Sequence, residues 1–346
     1  MQALVLVGGM GTRLRPLTET VPKPVLRLVD RPFISYMVEW LAGHGVEEVV
    51  LACGFLPDAL REVLGDGEPG GPRLRYLTEP EPRGTAGAIK FAEPELEGRF
   101  LALNGDTLTD LDLTALLRAH EERGARATIA LHPVEDPSGY GLVRTGPDGE
   151  VLEFLEKPAD GVAGPPAGNE INAGAYVLER SVLDLVPADR EVSIEREVFP
   201  RMVGHGLTGL RLEGYWMDIG TPDRYLQASW DILERRVATR VPVGPDAVLV
   251  EPEADLSAAS VEGPVFADSG VRAEAEASIG PGAVLGRDCR VGAGAQIRGS
   301  VLLDGCDVGA GATVEDSILG PAAVVEAGAA VRGGVHGEAE RVPASP

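Results

Sequence analysis

An aliphatic residue returns every six positions near the C-terminus: Ile279, Leu285, Val291 and Ile297, often followed by glycine. After a five-residue step the beat resumes at Leu302, Val308 and Val314, and after another at Leu319, Val325 and Val331. Small residues stand four places on, at Ala283, Cys289 and Ala295. Helical periodicity is absent. A hexapeptide beat this long predicts a parallel β-helix, in which each turn stacks one apolar residue into a thin core. The competing reading is a low-complexity Gly/Ala linker, which would not keep the beat. Ala267 and Ala273 fill the earlier apolar positions more weakly, and the chain from about Gly337 reads as a frayed tail.

Residues 1–236 follow a different pattern. Ala3–Val7, Glu48–Cys53 and Phe100–Leu103 are short apolar runs suited to a buried parallel sheet. Helical segments alternate with them. Phe33, Ile34, Met37, Val38 and Leu41 share one face, with Pro32 before and Gly45 after; Pro57–Leu64 closes at Gly65 and Asp112–Arg123 at Gly124. The expected architecture is α/β: a Rossmann-like open sheet over 1–236, a linker at 237–242, the β-helix at 243–335 and the tail at 336–346. Ligands of such sheets bind beyond the carboxyl ends of the strands.

At such an end lies Gly8-Gly9-Met10-Gly11-Thr12-Arg13, followed by Pro22-Lys23-Pro24. Its glycines let backbone N–H groups approach an anion, while Arg13 and Lys23 supply positive charge. No Gly-Lys-Ser/Thr ends it, so it is not a Walker loop, and Leu14 stands where a dinucleotide fingerprint needs glycine. A plain glycine turn after a buried strand is the alternative. The chain's lysines are Lys23, Lys90 and Lys157, and two of them sit beside prolines.

The 346 residues suffice for two cores, and no apolar run approaches the roughly 20 residues of a membrane span. A net charge of −23 opposes nucleic-acid polymers but not a single nucleotide in a local basic pocket. Cys53, Cys289 and Cys306 fit no metal or disulfide framework, and the N-terminus shows no secretion signal. A reducing cytoplasm is the expected compartment.

Asp106, in Asn104-Gly105-Asp106 after a buried run, and Asp218, in Trp216-Met217-Asp218-Ile219-Gly220, are the candidate metal ligands. Buried carboxylates are costly unless a cation meets them, although a turn aspartate can instead bond its own backbone. Magnesium takes one or two carboxylates plus substrate phosphates, which matches this set. Thr221 and Pro222 are placed to start the next helix. Lys157, in Glu156-Lys157-Pro158, reads either as a solvated pair or as a second phosphate clamp. Two clamps with a metal between them point to transfer of a nucleotidyl group onto a phosphate.

The segments Gly8–Thr18, Pro22–Pro24, Gly84-Thr85-Ala86-Gly87, Asn104–Asp106, Glu156–Pro158, Ile171–Gly174, Ser193–Pro200 and Trp216–Pro222 together resemble the sugar-1-phosphate nucleotidyltransferases. The resemblance is strongest to mannose-1-phosphate guanylyltransferases carrying a C-terminal left-handed β-helix. It implies that Leu6, Gly8, Gly9, Gly84 and Thr85 line base and ribose, and that Gly11, Thr12, Arg13 and Lys23 hold the triphosphate. It further implies that Gly141, Glu156 and Asn172 bond sugar hydroxyls, that Lys157 grips the sugar phosphate, and that Asp106 and Asp218 hold Mg2+. A homo-oligomer built through the β-helix is also expected. A non-catalytic regulatory homologue would have lost some of Arg13, Lys23, Asp106, Lys157 or Asp218, and all are present. An acyltransferase β-helix would use a histidine, and none lies between His205 and His336.

Glu79 precedes the base-contacting turn, where the thymidylyl- and uridylyltransferases that this chain resembles commonly carry glutamine. A carboxylate can accept both guanine donors, N1–H and N2–H, so GTP is the expected nucleotide. A surface glutamate in a Pro-rich loop is the plain alternative. Mannose 1-phosphate is the expected acceptor, with glucose 1-phosphate and thymidylyl or uridylyl transfer left open.

Overall fold

A computed structural model describes residues 1–9, 11–19, 21–54, 57–156, 169–242, 244 and 246–344. The chain forms two compact units, Met1–Gly9 with Met37–Trp216, and Met10–Tyr36 with Met217–Pro346. The segment 10–36 groups with the C-terminal coils although it is distant from them in sequence.

The first unit is built on a nine-stranded sheet. Its strands are β1 (Gln2–Leu6), β2 (Glu48–Cys53), β3 (Arg73–Thr78), β4 (Arg99–Asn104), β5 (Ala127–Pro133), β6 (Leu142–Thr145), β7 (Val151–Leu155), β8 (Glu170–Glu179) and β9 (Leu207–Arg211). The order is β7-β6-β8-β4-β1-β2-β3, with β5 bonded to both β8 and β9. Strands β1 to β4 are parallel, with Leu4 in register with Val50 and Ala102. Strand β8 runs antiparallel to β4, β5 and β6, which makes the sheet mixed. All six residues of β2 are buried, as expected for a strand covered on both faces.

The expected helices form as α1 (Phe33–Gly43), α2 (Pro57–Leu64) and α4 (Leu113–Arg123), with α3 (Gly84–Phe91) between the last two. Asp112 caps α4 by accepting from the Ala115 N–H at 2.9 Å, and Gly124 ends it in the left-handed region. Pro32 lies in a short strand rather than in the first turn of α1. Leu4, Val50, Ala102, Ile129, Tyr176 and Phe199 meet in one core.

In the second unit the C-terminal residues stack as three parallel sheets of six, five and five strands, consistent with a left-handed β-helix. Partners on neighbouring coils include Val265 with Ala283 and Val301 with Ile318. Every residue of the six-residue beat is buried, as are Ala283, Cys289 and Ala295. The weaker early positions also coil, since Val248–Val250 pairs with Val265–Ala267. The three cysteines are buried and free.

The frayed tail is a correction. Val335–His336 pairs with Ile318–Leu319, and Arg341–Val342 pairs with Val324–Val325. Backbone pairing extends the coils to Val342 even where the apolar beat has ended, because each added rung satisfies N–H and C=O groups whatever the side chains are.

Helix α5 (Pro222–Leu233) carries Pro222 at its first position. Thr221 stands at the cap as expected, but its side chain makes no cap hydrogen bond. Trp230 of α5 lies against Gly282 and Gly299, where an added Cβ would crowd the indole. The segment 11–36 contains tight turns at Thr12–Leu14, Leu17–Glu19 and Lys23–Val25, then a hairpin of Arg27–Leu28 with Arg31–Pro32. Among the described residues no helix is long and apolar enough to cross a membrane.

Candidate active site

In the first unit, the carboxyl ends of four adjacent parallel strands each deliver part of the candidate site. Gly8 follows β1, Gly54 follows β2, Glu79 follows β3 and Asp106 follows β4. Gly8 and Gly9 are exposed. A Cβ on Gly54 would lie 2.9 Å from the Gly8 carbonyl oxygen, and a Cβ on Gly8 would lie 3.5 Å from Glu79 Oε1. These contacts form a narrow, side-chain-free floor with one carboxylate at its edge.

Glu79 is buried, and its backbone N–H donates to the Cys53 carbonyl at 2.9 Å. Desolvation raises its pKa; a hydrogen bond from the Arg83 backbone and the Arg83 charge oppose the shift. A half-desolvated carboxylate beside bare backbone is suited to pairing with adjacent N–H donors of a planar ligand. Gly105 donates its N–H to the Leu6 carbonyl at 2.9 Å, and a Cβ there would collide with Leu6 and Val7. Its glycine therefore lets Asp106 stand directly beside the end of β1.

The sugar-side candidates also come together in this unit. Asn172 donates its backbone N–H to the Gly141 carbonyl at 2.9 Å. A Cβ on Gly141 would lie 2.7 Å from Glu156 Oε2. Trp216 packs edge-on to Tyr140 with ring centroids 5.3 Å apart, and its indole N–H donates to the Ala173 carbonyl at 2.8 Å. Lys157, the expected grip on the sugar phosphate, lies outside the described residues.

Glu195 had no role assigned from sequence. It accepts from the Thr85 hydroxyl at 2.8 Å and the Ser193 hydroxyl at 2.7 Å. The Tyr176 hydroxyl donates to Glu195 at 3.4 Å and accepts from the Asn172 amide at 2.9 Å. Thus Thr85, expected on the nucleotide side, and Asn172, expected on the sugar side, share one hydrogen-bonded chain. The Thr85 hydroxyl also accepts from the Ile194 N–H at 2.8 Å, so its side chain is committed to this network. Gly84 adopts a positive φ of 68° with the Val192 carbonyl 2.7 Å from where a Cβ would sit, a position open only to glycine. The one sequence signal for Glu195 was its place in Ser193-Ile194-Glu195.

In the second unit, Gly11 is left-handed at φ 58°, and a Cβ there would lie 3.2 Å from Lys23 Cβ and 3.1 Å from Thr18 Cγ2. The Thr18 hydroxyl donates to the Gly11 carbonyl at 2.8 Å, closing the loop over the buried Lys23. Thr12 and Arg13 are exposed. The Arg13 guanidinium covers Gly220, where a Cβ would sit 2.5 Å from Nη2. Gly220 is two residues past Asp218, whose carboxylate meets Arg224 at 3.3 Å. The loop cations Lys23 and Arg13 and the Asp218 segment are therefore joined through two glycines.

Comparison with known proteins identifies the family. The nucleotidyl transferase family matches residues 2–235, and the GMPPB C-terminal domain family matches residues 261–344. The chain belongs to the nucleotidyl transferase family and is a nucleotidyltransferase. It is 36% identical over 306 residues to the mannose-1-phosphate guanylyltransferase of Mycobacterium tuberculosis, covering 87% of this chain and 79% of the relative. It is 40% identical over 272 residues to the mannose-1-phosphate guanyltransferase of Yarrowia lipolytica, covering 74% and 73%. HddC from Yersinia pseudotuberculosis, solved in complex with GMP-PN, superposes with a TM-score of 0.57 at 28% identity, over 67% of this chain and 99% of that one. The resemblance read from the motifs is borne out.

Proposed function

We propose that this nucleotidyltransferase moves a guanylyl group from GTP to mannose 1-phosphate, forming GDP-mannose and pyrophosphate. The observation that carries the reading is the placement of Glu79 against Gly8 at the ends of β3 and β1. It supplies a two-acceptor edge for N1–H and N2–H of guanine, and the relatives' names and the GMP-PN complex of a structural neighbour point the same way.

In this reading Leu6, Gly8, Gly9, Gly84 and Thr85 line base and ribose, and Gly11, Thr12, Arg13 and Lys23 hold the triphosphate. Gly141, Glu156 and Asn172 bond the sugar hydroxyls, and Lys157 grips the sugar phosphate. An oxygen of that phosphate attacks the α-phosphorus in line, and the bond from the α-phosphorus to the bridging oxygen breaks to release pyrophosphate. The sugar phosphate's second pKa near 6 leaves its oxygen ionised at neutral pH, so no general base is needed. Catalysis rests on alignment and on neutralising charge as it shifts to the leaving group.

Asp106 and Asp218 would hold Mg2+. The donor set fits that ion in kind: Asp106 and Asp218 offer two carboxylates, and magnesium favours one or two carboxylates plus phosphate oxygens. When bound, the ion supplies positive charge to the phosphate oxygens. A cytoplasmic setting and a homo-oligomer assembled through the coils complete the proposal.

Pyrophosphate release measured over a matrix of nucleoside triphosphates and sugar 1-phosphates tests it. GTP with mannose 1-phosphate should give the highest kcat/KM; a clear preference for dTTP or UTP would overturn the assignment of Glu79.

A further inference from the structure

Arg27 and Asp268 are both nearly buried and form an ion pair across 241 residues of sequence. A β-helix needs no charge at such a turn, since its coils are held by backbone pairing and small apolar residues. Asp268 nonetheless accepts from Arg27 and, at 2.6 Å, from the Ser269 N–H, with Arg287 at 3.6 Å. Arg27 also approaches Asp304 at 3.8 Å and lies over the Phe266 ring, 5.7 Å from its centroid. Gly286, on the coil between Asp268 and Asp304, has no room for a Cβ beside Asp304.

The same arginine pins its own hairpin. Its Nε donates to the Val29 carbonyl and its Nη2 to the Asp30 carbonyl, both at 2.9 Å, and its carbonyl accepts from the Tyr225 hydroxyl of α5. One residue earlier, the Leu26 N–H donates to the Lys23 carbonyl at 3.1 Å, and the Leu26 carbonyl accepts from the Phe33 N–H at 2.9 Å. Lys23 is thus four residues from Arg27 through a closed turn, and its stem packs on Gly11. At the other end of the segment Pro16 lies 3.2 Å from where a Cβ would stand on Gly337, in the last coils.

We propose that Arg27 and Asp268 are positioning residues that fix the Lys23 turn, so that the β-helix is a working part of the triphosphate site; this rests on the role given to Lys23 above. The pair touches no substrate. It holds the backbone from which the lysine and the Gly11 loop are presented, and misplacing such a group by about 1 Å can cost up to about a hundredfold in rate.

The test uses the full chain with Asp268→Asn, Arg27→Gln and the double variant. Amide hydrogen exchange should speed up across residues 11–28 in each single variant while the apolar coil core keeps its protection. KM for GTP should rise about five- to tenfold, with KM for mannose 1-phosphate unchanged. The double variant should be no worse than either single one, as coupled partners require. Unchanged exchange in 11–28, equal losses toward both substrates, or additive losses would each overturn the proposal. Wild-type protein inactive with GTP would sink the nucleotide reading instead, and the exchange data would still decide whether the pair holds the turn.

Discussion

Glu79 and Gly8 meet at the carboxyl edge of the parallel sheet, with Oε1 only 3.5 Å from where a side chain on Gly8 would begin. The contact couples the identity of one acid to the absence of a side chain at the other position. Replacing Glu79 with Gln keeps the shape and removes one acceptor. The kcat/KM for GTP should fall about ten- to a hundredfold, the scale of a charge-assisted hydrogen-bond pair, while the magnesium requirement stays the same. Steady-state kinetics with GTP, at several magnesium concentrations, check this.

The pH dependence follows from the direction of the Glu79 shift. Burial raises its folded-state pKa, so the protonated acid persists to higher pH than in an ordinary glutamate. As pH falls through that raised value the carboxylate is lost, and KM for GTP should climb. The folded pKa exceeds the unfolded one, so ionisation of Glu79 disfavours folding above the unfolded value, and stability attributable to it falls as pH rises toward the folded pKa. Glu79→Gln should abolish the acid limb in KM and raise the melting temperature at neutral pH. An acid limb that persists in the variant would assign it to another group.

Gly220 leaves space for the Arg13 guanidinium, and only the tip of that flexible side chain stands in the way of a methyl group. Gly220→Ala should therefore fold normally yet push Arg13 aside, raising KM for GTP about tenfold. Thermal unfolding and nucleotide binding, measured together, separate this from a folding defect.

Gly141 plays the equivalent part on the sugar side, since an added Cβ would lie 2.7 Å from Glu156 Oε2. Gly141→Ala should raise KM for mannose 1-phosphate about tenfold and leave KM for GTP within about twofold, a loss of uniform binding at one substrate only.

Asp106→Asn and Asp218→Asn should each lower kcat by about a hundredfold or more, as expected when a charge-stabilising centre is lost. Chelation of divalent ions should stop pyrophosphate release from the wild type, and added magnesium should restore it. Full activity in the presence of chelator would remove the metal from the scheme.

The sequence made some of this legible and hid the rest for physical reasons. Ile279 to Val331 announce the coils because one buried position per six residues is a local rule, and each of those residues is indeed buried. Glu48–Cys53 reads as a central strand because burial on both faces demands a continuous apolar run. Gly141, Glu156 and Asn172 are expected on the sugar side from the family resemblance alone, and the fold brings them together. Glu195 escaped because its meaning lies in a chain running through Thr85 and Tyr176, which no spacing encodes. Arg27 and Asp268 escaped for the same reason at greater range. The coils beyond 335 were missed because backbone pairing there outlasts the side-chain pattern.

Residues 10–36 belong to the same compact unit as 217–346, and this fixes an order of events during synthesis. Arg27 leaves the ribosome 241 residues before Asp268 and must wait for it to emerge. The nascent chain cannot close that pair until the coil carrying Asp268 has been made. A message cut short before the coils would yield a protein whose sheet can form but whose Arg27 lacks Asp268.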